Sequence, residues 1–238
     1  MSKVIWNDVE CGGYEADLPL WEQLAAENDG PILELGCGTG RVVMHLARST
    51  EKLVIGVDSD DALVAALWER ARGTSGDAEI GDVRGFDLHF EFQLVLAPMQ
   101  LIQLLDGRAD RICCLSCVAD HLLPGGRAAF AIVDRMPEPA ADAGPQLPDV
   151  RQIDGWVYSS LPLEPVVRAD SILLRRLRQV VSPEGDLSEE EDEVVLQVLS
   201  AEQFEEEARE MGLRPIGRRQ IPATDAHVGS TVVVLEVD

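Results

Sequence analysis

The chain has 238 residues, 46% hydrophobic and 26% charged, a composition typical of a folded globular protein rather than a disordered one. Its 43 acidic and 20 basic residues give a net charge of -23, which disfavours nucleic acids and anionic membranes as partners, because phosphate binding depends on Lys and Arg. No apolar run approaches about 20 residues, and MSKVIWNDVE lacks an apolar signal-peptide core. We therefore expect a cytoplasmic protein acting on a small molecule.

Short apolar runs alternate with helix-period segments through residue 134, which is the pattern of a parallel sheet with crossover helices. The predicted helices span 18–28, 41–48, 60–72 and 108–123. Ser59 is the expected N-cap of the third helix. The predicted strands span 32–35, 54–57, 78–80, 92–97 and 128–133, with PGGR at 124–127 as the turn before the last. These elements form five βα-type repeats.

After Asp134 a segment rich in Pro and Ala predicts a loop that opens an insertion. Strands are predicted over 156–160, 171–182 and 193–199, the last two joined by a turn in SPEGD. That turn places the basic cluster of Arg175, Arg176 and Arg178 near an acidic run, with Arg178 opposite Glu191 and Arg176 opposite Glu193. Cross-strand pairing is the favoured explanation of the cluster, and an anionic substrate site is the alternative.

The last segments return to the main pattern. Ser200 and Gln203 predict a capping box at the start of a helix that runs to Met211. Two strands, over 213–218 and 231–237, follow, and the short connection between them predicts an antiparallel pair. We expect a single domain over residues 1–238, in which residues 135–199 form an antiparallel β lid beside the substrate.

The segment ILELGCGTGRVV at 32–43 runs from a strand through three glycines into a helix. Glycines at the carboxyl end of a parallel strand allow positive φ angles and a close approach of ligand to backbone. A dinucleotide fingerprint has the spacing GxGxxG, whereas here the spacing is GxGxG and Arg41 stands where the third glycine would fall. The spacing therefore disfavours a pyrophosphate site.

Acidic residues follow the first three strands. Asp58 ends the second strand, where a carboxylate can accept hydrogen bonds from both ribose hydroxyls. Asp82 and the Val83 backbone follow the third, where they can read an adenine edge. Glu34 lies two residues before the first glycine, a position that suits a cation better than a pyrophosphate.

Together these segments resemble the class I S-adenosylmethionine-dependent methyltransferases. ELGCGTG at 34–40, VIGVDSD at 54–60 and GDVRGF at 81–86 are similar to that family's first motif, ribose loop and adenine loop. FQLVLAP and LLPGGRAAFAIVD are similar to its fourth and fifth strands. The resemblance implies a Rossmann-like α/β fold, a seven-stranded mixed sheet with a small antiparallel β insertion after the fifth strand. The insertion itself is similar to the lids of small-molecule N-methyltransferases.

The resemblance also implies the roles of particular residues. The glycine backbone and Glu34 would hold the methionine part, and Ala97 would face the amino group. Residues assigned to S-adenosylmethionine are Tyr14, Glu34, Gly36, Cys37, Gly38, Gly40, Asp58, Ser59, Asp82, Val83 and Ala97. The residues themselves suggest candidates for a catalytic base: Tyr14, and also Asp134 and His227, which are expected at the same edge of the sheet as the glycine turn. APMQ at 97–100 differs from the N/D-P-P-Y/F motif of enzymes that methylate nucleic-acid bases, in agreement with the acidic charge.

The five cysteines are expected to be reduced, and Cys37 is also explained as a packing residue. Cys113, Cys114, Cys117 and His121 have helix spacing, but one helix rarely supplies every ligand of a structural zinc, so no metal site is predicted.

The function predicted is methyl transfer to a small-molecule amine or hydroxyl, leaving S-adenosylhomocysteine. A non-catalytic protein that binds this cofactor stays open, as does a homodimer. Less favoured are an NAD-dependent oxidoreductase and an aminopropyl transferase.

Overall fold

The computed structural model describes residues 3–134, 146–224 and 227–238. The first part of the predicted insertion, 135–145, with its Pro-rich loop, lies outside this part of the chain. The described helices are α1 Lys3–Glu10, α2 Leu18–Ala26, α3 Arg41–Ser49, α4 Asp61–Ala71, α5 Gly107–Asp120 and α6 Ala201–Glu210. The described strands are β1 Ile32–Leu35, β2 Val54–Asp58, β3 Gly76–Ile80, β4 Phe92–Ala97, β5 Leu122–Ile132, β6 Asp149–Ile153, β7 Trp156–Pro162, β8 Val166–Val167, β9 Ser171–Val181, β10 Leu187–Gln197, β11 Leu213–Ile221 and β12 Ser230–Val237.

Seven strands form the main sheet in the order β11-β12-β5-β4-β1-β2-β3. Strands β1 to β5 pair in parallel, whereas β12 is antiparallel to both β5 and β11. All four residues of β1 are buried, as expected for a central parallel strand that is covered on both faces. The predicted mixed seven-stranded sheet and its antiparallel last pair are confirmed.

Helices cover both faces of this sheet. On one face, α5 and α6 bury Leu115 and Phe204, and the Phe204 ring meets Phe130 of β5 edge-on with centroids 5.0 Å apart. On the other face, α2, α3 and α4 bury Trp21, Leu46 and a row of smaller apolar residues. The carboxyl ends of β1, β2 and β4 are left to be covered by loops and by α1.

The insertion is a second, antiparallel sheet in the order β10-β9-β7-β6, with β8 paired to β9. The prediction of three strands was therefore wrong in number. It missed β6, whose residues have no alternating burial, and β8, which has only two residues. The predicted hairpin turn is present, but Arg178 lies opposite Glu190 and Arg176 opposite Asp192. The register is shifted by one residue because the loop between β9 and β10 is centred on Glu184.

Two local predictions in the main sheet are corrected. The N-cap of α4 is Asp60 rather than Ser59, since the Asp60 carboxylate accepts hydrogen bonds from the Ala62 and Leu63 amides. PGGR lies inside β5 instead of preceding it. The pairing of β5 with β4 shifts register between Phe92 and Leu94 of β4. The PGGR residues therefore form an irregularity within β5.

Helix α1 was not predicted, because eight residues with three β-branched side chains are a weak helix signal by themselves. Tertiary contacts stabilise it: Trp6 and Val9 are buried against Tyr158 and Val180 of the insertion. Among the described residues, no helix has both the length and the apolar character needed to cross a membrane.

Candidate active site

The glycine turn joins β1 to α3 at the carboxyl edge of the main sheet. Gly36, Gly38 and Gly40 have φ angles of 65°, 54° and 92°, a region that residues with a Cβ rarely adopt. The Gly36 and Cys37 amides donate to the Val57 carbonyl at 2.7 and 3.1 Å, which holds the turn against the end of β2. A Cβ added to Gly40 would lie 2.2 Å from a methyl group of Leu67. The turn is thus built for a tight strand-to-helix connection.

A cavity of about 580 Å³ lies beside this turn, at the ends of β1, β2 and β4. Eight of the eleven residues predicted to bind the cofactor line it, namely Glu34, Gly36, Cys37, Gly38, Asp58, Ser59, Asp82 and Val83. Ala97 is buried in the core, whereas Tyr14 and Gly40 line a neighbouring cavity instead. The structure therefore brings the three sequence motifs to one concave site.

Glu34 is a buried acid in this cavity. Its side chain is 4% exposed, and Oε2 has no hydrogen-bond partner among the described residues. Burial raises the pKa of Glu34 to about 8, although nearby Arg41 and the Val43 amide act in the opposite direction. An unpaired buried carboxyl oxygen is costly unless something pairs with it, so the cavity offers a strong site for a cationic group.

Asp58 ends β2 and faces the same cavity. Its Oδ2 accepts a hydrogen bond from the Gly38 amide at 2.8 Å, and its Oδ1 accepts one from the Asp60 amide at 3.0 Å. Each carboxylate oxygen keeps a further lone pair, because an ionised carboxylate has about four acceptor positions. Asp58 can therefore fix the glycine turn and still accept hydrogen bonds from two hydroxyl groups.

Asp82 has a partner that the sequence did not reveal. Arg84 donates to its carboxylate from Nε and Nη2, and the Arg84 guanidinium also reaches Asp110 at 2.7 Å. The hydrogen bonds from Arg84 lower the pKa of Asp82 to about 2, so this carboxylate is ionised at neutral pH. Asp82 is therefore held in place by Arg84 at the wall of the cavity, next to Val83.

One side of the cavity is closed by Asn7 of helix α1 and by Cys11, the residue that follows the helix. The Asn7 side-chain oxygen accepts hydrogen bonds from the Thr39 amide at 3.2 Å and from the Thr39 hydroxyl at 2.9 Å. The helix is thereby attached directly to the glycine turn. The sequence signal for this contact was weak, since a single Asn in an unpredicted helix has no motif around it.

The opposite wall is apolar and was also missed. It is formed by the segment that follows β4, with Pro98, Met99, Leu101, Leu104 and Leu105 lining the cavity. Met99 and Gln100 both have positive φ angles, of 51° and 61°. Apolar residues after a buried strand carry no periodic or motif signal, so sequence reasoning did not select them.

Tyr14 and His227 lie against each other, with ring centroids 4.5 Å apart. Arg41 stands over the Tyr14 ring at 5.2 Å, donates to the Tyr14 carbonyl and forms a two-point ion pair with Asp17. Arg41 lines both the 580 Å³ cavity and the neighbouring cavity that contains Tyr14. Two of the three candidates for acid–base chemistry thus form one cluster behind Arg41.

The third candidate, Asp134, has a different environment. Its Oδ1 accepts a hydrogen bond from the Ala201 amide at 3.1 Å, at the start of α6. It is absent from the residues that line the 580 Å³ cavity. The structure gives Asp134 a place at a helix N-terminus, where a carboxylate is favourable.

The cysteine and histidine cluster on α5 is occupied by local hydrogen bonds. His121 Nδ1 lies 2.7 Å from the Cys117 carbonyl, and the Leu88 amide donates to Nε2 at 3.1 Å. The ring therefore carries its proton on Nδ1. Within the described ranges, no group of three or more His, Cys, Asp or Glu side chains is arranged to hold a metal ion.

The basic cluster of the insertion is used for pairing with acids, including one from α1. Arg178 bonds to Asp192 across the hairpin at 2.7 Å and donates to both carboxylate oxygens of Glu10. Arg176 contacts Asp149 and Ser160. Cross-strand pairing is thus present, but the strongest contact of Arg178 joins the insertion to α1.

Residues 32–126 match the sequence profile of a methyltransferase domain family. This span contains all three predicted motifs, so the match agrees with the predicted methyltransferase resemblance over that part of the chain. Two curated relatives align with half of the chain or less. A cypemycin N-terminal methyltransferase from Streptomyces sp is 29% identical over 120 residues, which is 50% of this chain and 49% of that protein.

The second relative is a dTDP-3-amino-3,6-dideoxy-alpha-D-glucopyranose N,N-dimethyltransferase from Streptomyces fradiae. It is 32% identical over 113 residues, covering 47% of this chain and 42% of the relative. The chain thus spans about half the length of the curated relatives it matches.

Solved structures match the whole fold. An amino pentose methyltransferase from Micromonospora echinaspora, solved with S-adenosylmethionine, has a TM-score of 0.76 at 18% identity and covers 100% of this chain and 98% of its own. A sugar N-methyltransferase from Streptoalloteichus sp has a TM-score of 0.77 at 17% identity, covering 100% and 93%. The predicted class I methyltransferase fold with an antiparallel insertion is therefore confirmed.

Proposed function

We propose that this chain is an S-adenosylmethionine-dependent methyltransferase that methylates a small-molecule amine or hydroxyl by in-line displacement. The observation that carries the proposal is the 580 Å³ cavity, which combines the unpaired buried carboxyl of Glu34, the Gly38 backbone and the carboxylate of Asp58. These groups lie at the ends of neighbouring strands, where ligands of open α/β sheets bind.

The residues present fit this cofactor. Glu34 offers its free oxygen to the ammonium of the methionine part, and Asp58 offers acceptors to the ribose hydroxyls. Val83, Leu104 and Leu105 provide apolar surface for the adenine ring. When bound, the cofactor supplies an electrophilic methyl group on a positively charged sulfur. The chain's contribution is to orient both reactants, since positioning alone can lower such a barrier substantially.

An amine is the favoured acceptor. Both curated relatives are described as methylating amino groups, one at a peptide N-terminus and one on an amino sugar. An amine that is protonated at neutral pH must give up that proton before its nitrogen can attack, and His227 is the best acceptor for it among the three candidates. Burial lowers the pKa of His227, so its imidazole is free to accept a proton at neutral pH. Burial raises the pKa of Tyr14, which keeps its phenol protonated and suits it to orienting the acceptor.

Alternative functions are less well supported by the same residues. A dinucleotide would need a third glycine where Arg41 stands, and the Arg41 guanidinium there is held by Asp17. A protein that binds the cofactor without catalysis would keep Glu34 and Asp58 unchanged. Such a non-catalytic protein would not need the neutral imidazole of His227 beside Tyr14. This imidazole is the feature that favours an enzyme.

Calorimetric titration tests the cofactor. We expect S-adenosylmethionine and S-adenosylhomocysteine to bind in the micromolar range, about -8 kcal/mol, and NAD to bind far more weakly. Asp58→Asn should weaken both sulfur nucleotides, whereas Asp154→Asn, in the insertion, serves as the matched control and should not. Binding of NAD alone, or of no nucleotide, would reject the proposal.

Methyl transfer tests the acceptor. The wild-type protein would be incubated with methyl-labelled S-adenosylmethionine and two amine probes, a dTDP-linked 3-amino sugar and a short peptide with a free N-terminus. Labelled product from either probe supports an enzyme, and tight cofactor binding without transfer to any amine or hydroxyl supports the non-catalytic alternative.

The proposal has four further parts. They are a single domain over 1–238, a lid over 135–199, a homodimer and a cytoplasmic location.

A further inference from the structure

One end of the 580 Å³ cavity suits a nucleotide base. Asp58, which would hold the ribose, ends β2, and β3 is the next strand of the sheet. The loop that follows β3 lines the cavity with Val83, and the segment before α5 lines it with Leu104 and Leu105. Apolar side chains can cover the faces of a purine, but they do not distinguish one purine from another. Recognition of adenine also needs an acceptor for its 6-amino group, which is its exocyclic donor.

Asp82 lies at this end of the cavity, but Arg84 occupies its carboxylate. Oδ1 of Asp82 accepts hydrogen bonds from the Arg84 backbone amide and from Arg84 Nε, each at 2.9 Å. Oδ2 accepts from the same Nε at 3.1 Å and from Nη2. An ionised carboxylate has about four acceptor positions, and Arg84 uses all of them. Asp82 therefore has no acceptor to offer a 6-amino group.

Two other carboxylates line the cavity at the start of α5, those of Asp106 and Asp110. Asp110 is engaged, because its Oδ2 accepts a hydrogen bond from Arg84 Nη1 at 2.7 Å. Asp106 lies one turn earlier, at the N-cap of α5, and makes no capping hydrogen bond with its side chain. Within residues 3–134, 146–224 and 227–238, its carboxylate has no hydrogen-bond or ion-pair partner. Asp106 is thus the carboxylate at this end of the cavity whose two oxygens are both free.

We propose that Asp106, rather than Asp82, accepts the hydrogen bond from the 6-amino group of adenine and so makes the site specific for an adenine nucleotide. This inference rests on the proposed function. Arg84 has the positioning role, since it joins the loop after β3 to α5 through Asp82 and Asp110. The N-terminus of α5 favours a negative charge at Asp106. Asp106 is exposed, so the amino group would replace water there, and we expect a contribution of roughly 10-fold in affinity.

The test removes the amino group and the carboxylate, separately and together. Calorimetry would compare S-adenosylhomocysteine with its purine-riboside analogue, which has hydrogen in place of the 6-amino group. The wild-type protein should bind the analogue roughly 10-fold more weakly, because one hydrogen bond to a charged group is lost. Asp106→Ala should bind S-adenosylhomocysteine roughly 10-fold more weakly than the wild type does. It should bind the analogue as well as the wild type does, because the two changes delete the same bond. That unchanged affinity would also show that the variant folds correctly.

Asp110→Ala is the matched control, since this carboxylate lines the same wall but is bonded to Arg84. Asp110→Ala and Asp82→Ala should both keep the preference of roughly 10-fold for S-adenosylhomocysteine over the analogue, although loss of the Arg84 contacts weakens both nucleotides. Equal binding of the two nucleotides by the wild type would overturn the inference. So would a preference that survives in Asp106→Ala and disappears in Asp82→Ala or Asp110→Ala. A wild-type protein that binds neither nucleotide would instead reject the proposed function.

Discussion

Glu10 of α1 and Arg178 of β9 form a two-point ion pair, with Nε–Oε1 and Nη2–Oε2 distances of 2.7 and 2.8 Å. Ser160 also donates to Glu10, and the Arg178 guanidinium lies over the Trp6 ring at 5.1 Å. One turn earlier on the same helix, Asn7 holds the glycine turn through Thr39. Helix α1 therefore connects the insertion to the candidate cofactor site.

Replacing Glu10 should weaken that connection. Glu10→Ala leaves a largely buried guanidinium without its best partner, so we expect a loss of about 2 kcal/mol in the free energy of unfolding. Affinity for S-adenosylhomocysteine should also fall, since α1 carries Asn7 of the cavity wall and is followed directly by Cys11. Chemical denaturation and calorimetry measure the two effects. Lys3→Ala, on the same helix, removes an exposed ion pair with Asp60 at the start of α4; it is the control and should leave both values nearly unchanged. Unchanged nucleotide affinity in Glu10→Ala would contradict the connection.

A second prediction concerns Gly40, where an introduced side chain would both strain the backbone and clash with Leu67. Gly40→Ala should lose cofactor affinity and stability, because φ is 92° and the new Cβ would lie 2.2 Å from a Leu67 methyl. Gly125→Ala is the matched control: its φ is 71°, but the space around it is open, so only the backbone cost of about 1–2 kcal/mol applies. Leu67→Ala added to Gly40→Ala should recover part of the loss. Equal unfolding midpoints for the two single variants would contradict this steric argument.

Much of the fold could be predicted because the periodicity of apolar residues and the capping of helices are encoded in short stretches of sequence. The buried strand β1 and the capping box of Ser200 and Gln203 are where the sequence placed them. Elements that depend on distant partners were missed. Helix α1 needs Arg178, 168 residues away, to satisfy Glu10.

The site shows the same division. The glycines, Glu34 and Asp58 are encoded in motifs of fixed spacing and meet at one cavity. The apolar wall of Met99 and Leu101 depends on distant contacts: Gln100, between them, bonds to Ser230, and Leu101 packs beside Gly36. No local sequence pattern indicates either contact.

The third prediction concerns a buried ion pair between α5 and α6. Arg111 donates to both oxygens of Glu207 at 2.8 and 2.7 Å, and the two side chains are 9% and 8% exposed. Glu207→Ala should destabilise the protein by about 3–5 kcal/mol, because it leaves a buried charge without a partner. On the same two helices, Glu210→Ala removes an exposed pair with Arg108 and should change the urea midpoint very little. Equal shifts of the urea midpoint in Glu207→Ala and Glu210→Ala would show that burial does not determine how much the Arg111–Glu207 pair contributes to stability.

The fourth prediction separates His227 from Tyr14. If His227 is the base, His227→Asn should lower kcat by roughly 100-fold or more, while Tyr14→Phe, which keeps the stacked ring, should have the smaller effect on kcat. Burial holds the pKa of His227 below its usual 6.5, so wild-type kcat should fall only on the acid side of that value. Steady-state kinetics between pH 5 and 8 with an amine probe provide the test. A larger loss in Tyr14→Phe than in His227→Asn would reverse the assignment.

Glu34 should couple proton release to cofactor binding. Its pKa is raised from 4.5 to about 8 by burial, so the unliganded protein holds a proton there at pH 7. An ammonium placed against Oε2 favours the ionised form, and affinity for S-adenosylhomocysteine should therefore increase between pH 6 and 8. Calorimetry at pH 7 in two buffers with different ionisation enthalpies should detect a released proton, and Glu34→Gln should abolish the release. Identical heats in both buffers would contradict the coupling.

The same proton determines how stability depends on pH. Because the folded-state pKa of Glu34 lies above the unfolded value of 4.5, the folded protein binds more protons than the unfolded chain between about pH 4.5 and 8. The stabilising contribution of that proton is complete below pH 4.5 and is lost as the pH rises through 8. Urea denaturation of the nucleotide-free protein measures this effect. Between about pH 4.5 and 8, the free energy of unfolding should decrease more with rising pH in the wild type than in Glu34→Gln. Saturating S-adenosylhomocysteine should remove this difference, because the ammonium then compensates the ionised carboxylate.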